Sequence, residues 1–479
     1  MPNNICTKAL VITIAVLFLF GERVAVHAGA KPISRPNILF ISIDDLNDWS
    51  GCLGNHIGVK TPNIDRLAKN GMLFSNAHCQ APLCGPSRAS VYTGMYPHST
   101  GIYNQIHDEE IKKSGPIAAN AVFLPDYFEA FGYKTLGVGK LFHKGDNAGA
   151  YDLYGGVFPE MGFGPNPKKR VNFDPKWFTD KANTSTDWAP LNMDDSEMSD
   201  YKIAEWAVDA LKQDHEKPFL MAVGFIRPHV PWHVPQKWFN MFPVESIELP
   251  QYKADDLDDV PEYSRNLHAM PQMPKTEWLI KEKQWKPMLQ GYLACMAFMD
   301  HQLGKVLDAL ENSSYADNTV VVLWSDHGYH LGEKNRVCKH SLWQRSTHVP
   351  LIFAGAGIVR GQRCGAQVGL IDMYPTLVEL CGLEANAANQ GNSLVPLLNN
   401  PSIKWNHPAF TSYGYKNISI YLDGFHFIHY ADGSAELYDT DSDPNEWRNL
   451  AGSSAYASHI RMFKQRLPKE SAVLSPSCW

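Results

Sequence analysis

Three near-continuous apolar runs constrain this chain more than any other feature. Asn37-Ile38-Leu39-Phe40-Ile41-Ser42-Ile43 ends in the acids Asp44-Asp45. A second runs from Pro218 to Ile226, and a third, Thr319-Val320-Val321-Val322-Leu323-Trp324, ends in Ser325-Asp326-His327-Gly328. Short uninterrupted apolar runs predict strands buried on both faces, as in a parallel sheet. Such a sheet needs crossover helices, and the chain offers one between the second and third runs. There Tyr292, Cys295, Met296, Met299, Leu303, Val306, Leu307 and Leu310 recur on one helical stripe. Strands alternating with helices define an α/β domain whose site lies at the carboxyl ends of its strands. The two acid clusters, distant in sequence, are expected to meet there. Thr61-Pro62 reads as an N-cap with the first helical residue, and Gly71 as the stop.

The α/β texture spans residues 36–400. After Pro401, short alternating segments around Phe410–Tyr415, Ile418–Tyr421, Phe425–Tyr430 and Glu436–Tyr438 precede a possible helix near Tyr456–Leu467. They predict a small antiparallel sheet with a helix, a subdomain over 401–470. Residues 145–200, rich in aromatics, Gly and Pro, read as long loops over the site or as structural padding. Residues 1–28 read as a signal peptide. Lys8 precedes the apolar Ala9–Phe20, which as a helix reaches ~18 Å, short of a ~30 Å hydrocarbon core. Val26-His27-Ala28 suits cleavage. The expected product is exported, periplasmic or secreted, with no membrane attachment after cleavage. A net charge of -7 disfavours nucleic acid and, at first sight, any polyanion. Of nine cysteines, Cys6 leaves with the leader; the other eight are too sparse for a disulfide scaffold. Asn183, Asn312 and Asn417 head glycosylation sequons.

The chemically decisive string is Cys84-Gly85-Pro86-Ser87-Arg88-Ala89-Ser90, followed by Thr93-Gly94. C-x-P-S-R arises by chance in roughly one in several hundred chains of this length. Read alone, it is equally a core cysteine before a capped helix. Further motifs follow in order: Thr61-Pro62-Asn63-Ile64-Asp65, Gly139-Lys140-Leu141-Phe142-His143, Arg227-Pro228-His229-Val230-Pro231, Ser325-Asp326-His327-Gly328 with Lys339, and His348-Val349-Pro350. Together with Asp44-Asp45, they resemble the type I, formylglycine-dependent sulfatases over nearly all of residues 36–450. The variants are most similar to the iduronate-2-sulfatase branch.

That resemblance implies an alkaline-phosphatase-like sulfatase fold: a large mixed sheet flanked by helices, plus the small C-terminal antiparallel sheet with its helix. It also implies a sulfuric ester hydrolase acting on a saccharide, with a 2-O-sulfated uronic acid as the candidate substrate. A maturation enzyme would oxidise Cys84 to formylglycine, whose hydrate attacks sulfur. Asp44, Asp45, Asp326 and His327 would join residue 84 around a Ca²⁺ ion; oxygen donors suit this hard cation. His327 stands where many sulfatases carry Asn. Arg88 and Lys140 would orient and neutralise the formylglycine and sulfate oxygens. His143 would be the base driving sulfate release, His229 would protonate the leaving alcohol, and Lys339 would flank the sulfate. Arg227, Trp232, His233, Tyr329, His330 and Trp343 neighbour these motifs and could bind sugar by stacking or carboxylate contacts. Alternatives are a sulfatase for a small choline or aryl ester, a phosphatase or phosphonate hydrolase of the superfamily, or a non-catalytic carbohydrate-binding relative. With Cys84 converted, an odd number of mature cysteines remains, so at least one thiol stays unpaired within the chain.

Overall fold

The computed structural model of the protein describes residues 35–56, 58–145, 147–157, 171 and 186–479. The leader, the Asn183 sequon and much of the 145–200 segment lie outside these residues.

The predicted apolar runs form the centre of the sheet. Its strands are β1 (Asn37–Ile43), β2 (Gly71–His78), β3 (Lys134–Gly139), β4 (Leu153–Tyr154), β6 (Phe219–Phe225), β8 (Thr319–Ser325), β9 (His348–Gly355), β10 (Gln362–Cys364) and β11 (Val368–Gly369). β5 (Trp188–Leu191) and β7 (Trp232–Pro235) make a separate parallel pair. The main order is β10-β2-β9-β8-β1-β6-β3-β4, with β11 beside β2. β1 lies between β6 and β8, parallel to both, so Phe40 faces Ala222 on one side and Val322 on the other. β9 runs antiparallel to β8 and β2, which makes the sheet mixed.

Both sheet faces are covered, which explains the lack of polar alternation in the central runs. Side chains still alternate in direction. Leu39, Ile41 and Ile43 join a core with the helices Ser199–Leu211 and Trp285–Glu311, while Ile38 and Phe40 join a second core with the helices Cys84–Thr93 and Met373–Leu380. The crossover stripe from Tyr292 to Leu310 packs as expected, on a helix that starts earlier, at Trp285.

Two local expectations change. Thr61 makes no side-chain cap; its hydroxyl accepts from the Gly51 N–H at 2.9 Å instead. Gly71 opens β2, and the preceding helix ends with Asn70 as its C-cap. A Cβ at Gly71 would lie 2.2 Å from the Phe353 carbonyl oxygen, so glycine permits the close approach of β9.

The C-terminal segments form the antiparallel meander β12 (Ala409–Ser412), β13 (Ile418–Leu422), β14 (Phe425–His429) and β15 (Ala435–Asp439). The helix Ala457–Arg466 stacks Phe463 on Phe427 with ring centroids 5.3 Å apart. All these elements belong to one compact unit, Arg35–Trp479. The eight cysteines of this unit are free thiols. Among the described residues no helix is long and apolar enough to cross a membrane.

Candidate active site

Four neighbouring parallel strands, β8, β1, β6 and β3, deliver the sequence-predicted residues at their carboxyl ends. β1 leads into Asp44 and Asp45, and β8 into Asp326 and His327. β6 runs on to Arg227 and His229, and β3 to Lys140 and His143. Successive residues of an extended strand point to opposite faces. Asp45 escapes this by adopting a left-handed backbone, φ 61°, a conformation Asp tolerates better than most residues. The Tyr292 hydroxyl holds the turn: it donates to the Asp45 carbonyl at 3.0 Å and accepts from Asn47 N–H at 3.0 Å. Both carboxylates therefore face one pocket.

Cys84 is the first residue of the helix Cys84–Thr93, whose ten residues are all buried. The helix N-terminus presents free N–H groups and a partial positive charge toward the pocket. Gln105 accepts the Gly85 N–H at 2.9 Å. One turn on, Arg88 donates through Nε to Asp326 Oδ2 at 3.0 Å and through Nη2 toward Asp44 Oδ1 at 3.5 Å. Its Nη1 serves the carbonyls of Lys140 at 2.6 Å and Leu141 at 2.9 Å. Arg88 thus fastens the ends of β1, β3 and β8 to the cysteine helix.

Around Cys84 Sγ lie Lys339 Nζ at 2.9 Å, His327 Nε2 at 3.2 Å and Asp45 Oδ1 at 3.9 Å. Lys339 also donates to Asp45 Oδ1 at 2.7 Å, and Lys140 donates to Asp44 Oδ2. Burial pushes the Cys84 thiol up, but Lys140 and Lys339 outweigh it and hold the group well below the thiol range. Burial likewise opposes ionisation of Asp44, yet Lys140, His229 and Arg88 hold its carboxyl low. Asp326 is pushed up to about 7 by burial and by the Asp44 charge, against His327 and Arg88. Burial lowers His143, with Lys140 adding repulsion, against Cys84, which raises it.

The donor set fits a divalent cation. Ligating atoms of Asp44, Cys84, Asp326 and His327 lie within 4.8 Å of one another, as do those of Asp44, Asp45, Cys84 and His229. Asp45 Oδ2 is buried with no hydrogen-bond partner. His327 donates from Nδ1 to the Gly328 carbonyl at 3.0 Å, which turns Nε2 to the pocket. That is the usual way a ligating histidine is oriented. Burial opposes the charge of His327, but Asp326 outweighs this and raises its pKa to about 9, so a bound cation would displace the Nε2 proton. The crowding that raises Asp326 is relieved by added positive charge.

His229 closes one side, with Nε2 3.9 Å from Asp45 Oδ2 and Nδ1 donating to the Val230 carbonyl at 2.6 Å. Lys339 sits on the loop between β8 and β9, which Arg345 anchors to Asp48 at 2.6–2.7 Å. Motif reading missed Asp48 and Arg345, as well as Asp200, whose carboxylate accepts the Ile226 and Arg227 N–H groups at 2.7 and 2.9 Å. These residues act through backbone and loop placement, which carries no short sequence signature. Tyr292 was legible only as a core position.

The sugar-binding candidates turn out to be wall residues. Trp232 is fully buried between Tyr292 and Tyr329, and its indole N–H donates to the Pro228 carbonyl. Tyr329 and His330 are buried too, the latter paired with Ser341 at 2.8 Å. His233 pairs with Asp187 at 3.2 Å, and Arg227 donates to the His229 carbonyl at 2.7 Å. Trp343 donates to Glu436 at 2.8 Å. Stacking on a sugar needs an open ring face, and the rings of Trp232, His233, Tyr329, His330 and Trp343 are buried.

A mixed α/β sheet with paired carboxylates at its strand ends, beside a buried cysteine at a helix N-terminus, has the alkaline-phosphatase-like fold. Residues 36–383 match the Sulfatase family, and residues 332–472 match the C-terminal region of N-sulphoglucosamine sulphohydrolase. A sulfatase from Formosa agariphila is 45% identical over 92% of this chain and 88% of its own length. Human iduronate 2-sulfatase is 29% identical, over 73% of this chain and 69% of its own. Among solved structures, a 2-O GAG sulfatase superposes with TM-score 0.69 at 24% identity, covering 91% of each chain. A phosphonate monoester hydrolase of Agrobacterium radiobacter superposes with TM-score 0.71 at 21% identity, covering 90% of this chain and 95% of its own. Both superpositions show the shared fold alone. The chain belongs to the sulfatase family and is a sulfuric ester hydrolase.

Proposed function

We propose that this enzyme is exported and removes sulfate from an anionic saccharide, a 2-O-sulfated uronic acid being the favoured substrate. A formylglycine at residue 84 would serve as nucleophile, with Ca²⁺ held by Asp44, Asp45, Asp326 and His327. The observation that carries the reading is the convergence on Cys84 of His327 and Asp45, from the ends of adjacent strands, and of Lys339, from the loop between β8 and β9. The likeness to iduronate 2-sulfatase supports the sugar class.

Oxidised by a formylglycine-generating maturation enzyme, residue 84 would supply a hydrated aldehyde oxygen as nucleophile, and the cation would supply positive charge for the sulfate oxygens. The protein's own groups do the rest. Lys140 and Lys339 present ammonium groups in a pocket of low dielectric, where attraction to a sulfate far exceeds its value in water. Arg88 holds Asp44 and Asp326 in place, so little reorganisation accompanies charge transfer. His143, its basicity lowered by burial so that the neutral imidazole is favoured, is suited to accept a proton at residue 84. His229, its Nδ1–H engaged by Val230, has Nε2 as the atom that would donate to the departing alkoxide. The overall charge of -7 does not repel an anionic ester, because the local field of these cations governs capture.

The test has two parts. The Cys84 peptide of protein co-expressed with a maturation enzyme should be about 18 Da lighter than cysteine predicts. That protein should then release sulfate from 2-O-sulfated uronates in a panel that also contains hexosamine sulfates, aryl sulfate, choline sulfate and a phosphonate monoester. Turnover retained by Cys84→Ala, or confined to the phosphonate, would overturn the proposal.

A further inference from the structure

With the wall aromatics buried, the side chain best placed to hold the sugar lies outside every motif. Residues 472–479 run along the segment 98–106. Ala472 N–H donates to the His98 carbonyl at 2.8 Å, and Ser475 N–H to that of Gly101 at 2.9 Å. Trp479 N–H donates to the Gln105 carbonyl at 3.0 Å, and Cys478 bridges Ile106. Gly101 permits this passage: its φ is +78°, and a Cβ there would lie 2.3 Å from the Val473 carbonyl oxygen. Gln105 also receives the Gly85 N–H through its side chain, so the segment is tied to the start of the Cys84 helix.

This places Trp479 at the mouth of the pocket. Its ring centroid lies 6.1 Å from that of His143 and 6.2 Å from that of His107, and Lys144 Nζ lies 4.7 Å from it. The loop beneath is fixed by Asp108, which accepts the His143 and Lys144 N–H groups at 3.2 and 3.1 Å. Trp479 is 55% exposed. An open indole on a hydrogen-bonded backbone is what the C–H face of a pyranose stacks upon, and an ammonium beside it suits a carboxylate or a second sulfate. The family matches extend no further than residue 472, so Trp479 lies outside them, whereas Lys144 and His143 lie within the Sulfatase match.

We propose that Trp479 and Lys144 form a subsite for the anionic sugar that carries the scissile sulfate, and so determine specificity. This rests on the sulfated-saccharide reading above. The test is calorimetric binding of a 2-O-sulfated uronate disaccharide, from lyase-digested heparin, to Cys84→Ala protein, which needs no maturation. Adding Trp479→Ala should weaken binding about tenfold, the scale of a lost stacking contact with its neighbouring charge. Trp479→Phe should recover most of the loss, and Lys144→Ala should weaken binding and flatten its salt dependence. In matured enzyme, Trp479→Ala should lower the ratio of disaccharide to aryl sulfate kcat/KM by a similar factor. Equal affinity with and without Trp479, no binding by the Cys84→Ala parent, or an unchanged kcat/KM ratio would each overturn the subsite. Failure of the matured enzyme to cleave any sulfate ester would instead sink the catalytic proposal, with the calorimetry still deciding the subsite.

Discussion

Removing the Arg88 guanidinium should cost stability as well as activity, by an amount the structure sets. Arg88 is wholly buried, as are its carboxylate partners Asp44 and Asp326. Burial disfavours its charge, but Asp326 and Asp44 outweigh this and keep it protonated. Arg88→Ala leaves two buried carboxylates facing each other and deprives the Lys140 and Leu141 carbonyls of donors. Breaking a buried pair by deleting one partner costs about 3–5 kcal/mol. For the unit Arg35–Trp479, ~2.1 cal/mol/K per residue gives an unfolding entropy of about 0.9 kcal/mol/K. Each kcal/mol therefore moves Tm by about 1 °C, and the variant should melt roughly 3–5 °C lower. Scanning calorimetry in chelator would measure this. Arg88→Ala/Asp326→Asn should regain part of the loss, because a neutral amide no longer repels Asp44. A shift below about 1 °C, or losses that simply add in the double variant, would refute the clamp.

Other outcomes follow from the same structure. Asp48, fully buried, has its pKa lowered to about 2: burial opposes this, but Arg345 and His348 outweigh it. A depressed carboxyl stabilises above its unfolded value, near 3.8, and loses that contribution as pH falls through about 2. Asp48→Asn should therefore cost about 2 kcal/mol at neutral pH, with the Tm gap closing between about pH 4 and 2. Calcium at about 100 times its Kd should stabilise the protein by ~2.7 kcal/mol, an upshift of about 3 °C by thermal scan, and Asp45→Asn should remove most of it. Trp232→Ala, emptying a core position, should cost about 3–5 kcal/mol and appear as a lower Tm; an unchanged Tm would restore Trp232 as an open sugar platform.

Much of this enzyme could be read without coordinates. The three central strands and the crossover stripe were legible because burial on both faces, or along one stripe, writes itself into consecutive residues. Cys84, Arg88 and the paired acids were legible because the chemistry restricts which residue types can stand there. The turn at Asp45 was not, since a left-handed Asp looks like any other.

The sequence by itself determined the strands, their chemically armed ends, and membership of the sulfatase family. Only the tertiary structure decided which rings are walls and which are open. Trp232, Tyr329 and His330 stand next to motif residues yet are enclosed by segments as distant as Tyr292 and Ser341. Trp479, outside every motif, is carried to the pocket mouth by backbone pairing with residues 98–106. The physical reason is that strand burial and reactive chemistry are local properties of the chain. Exposure depends on which remote segments pack on a side chain, and no local pattern records that.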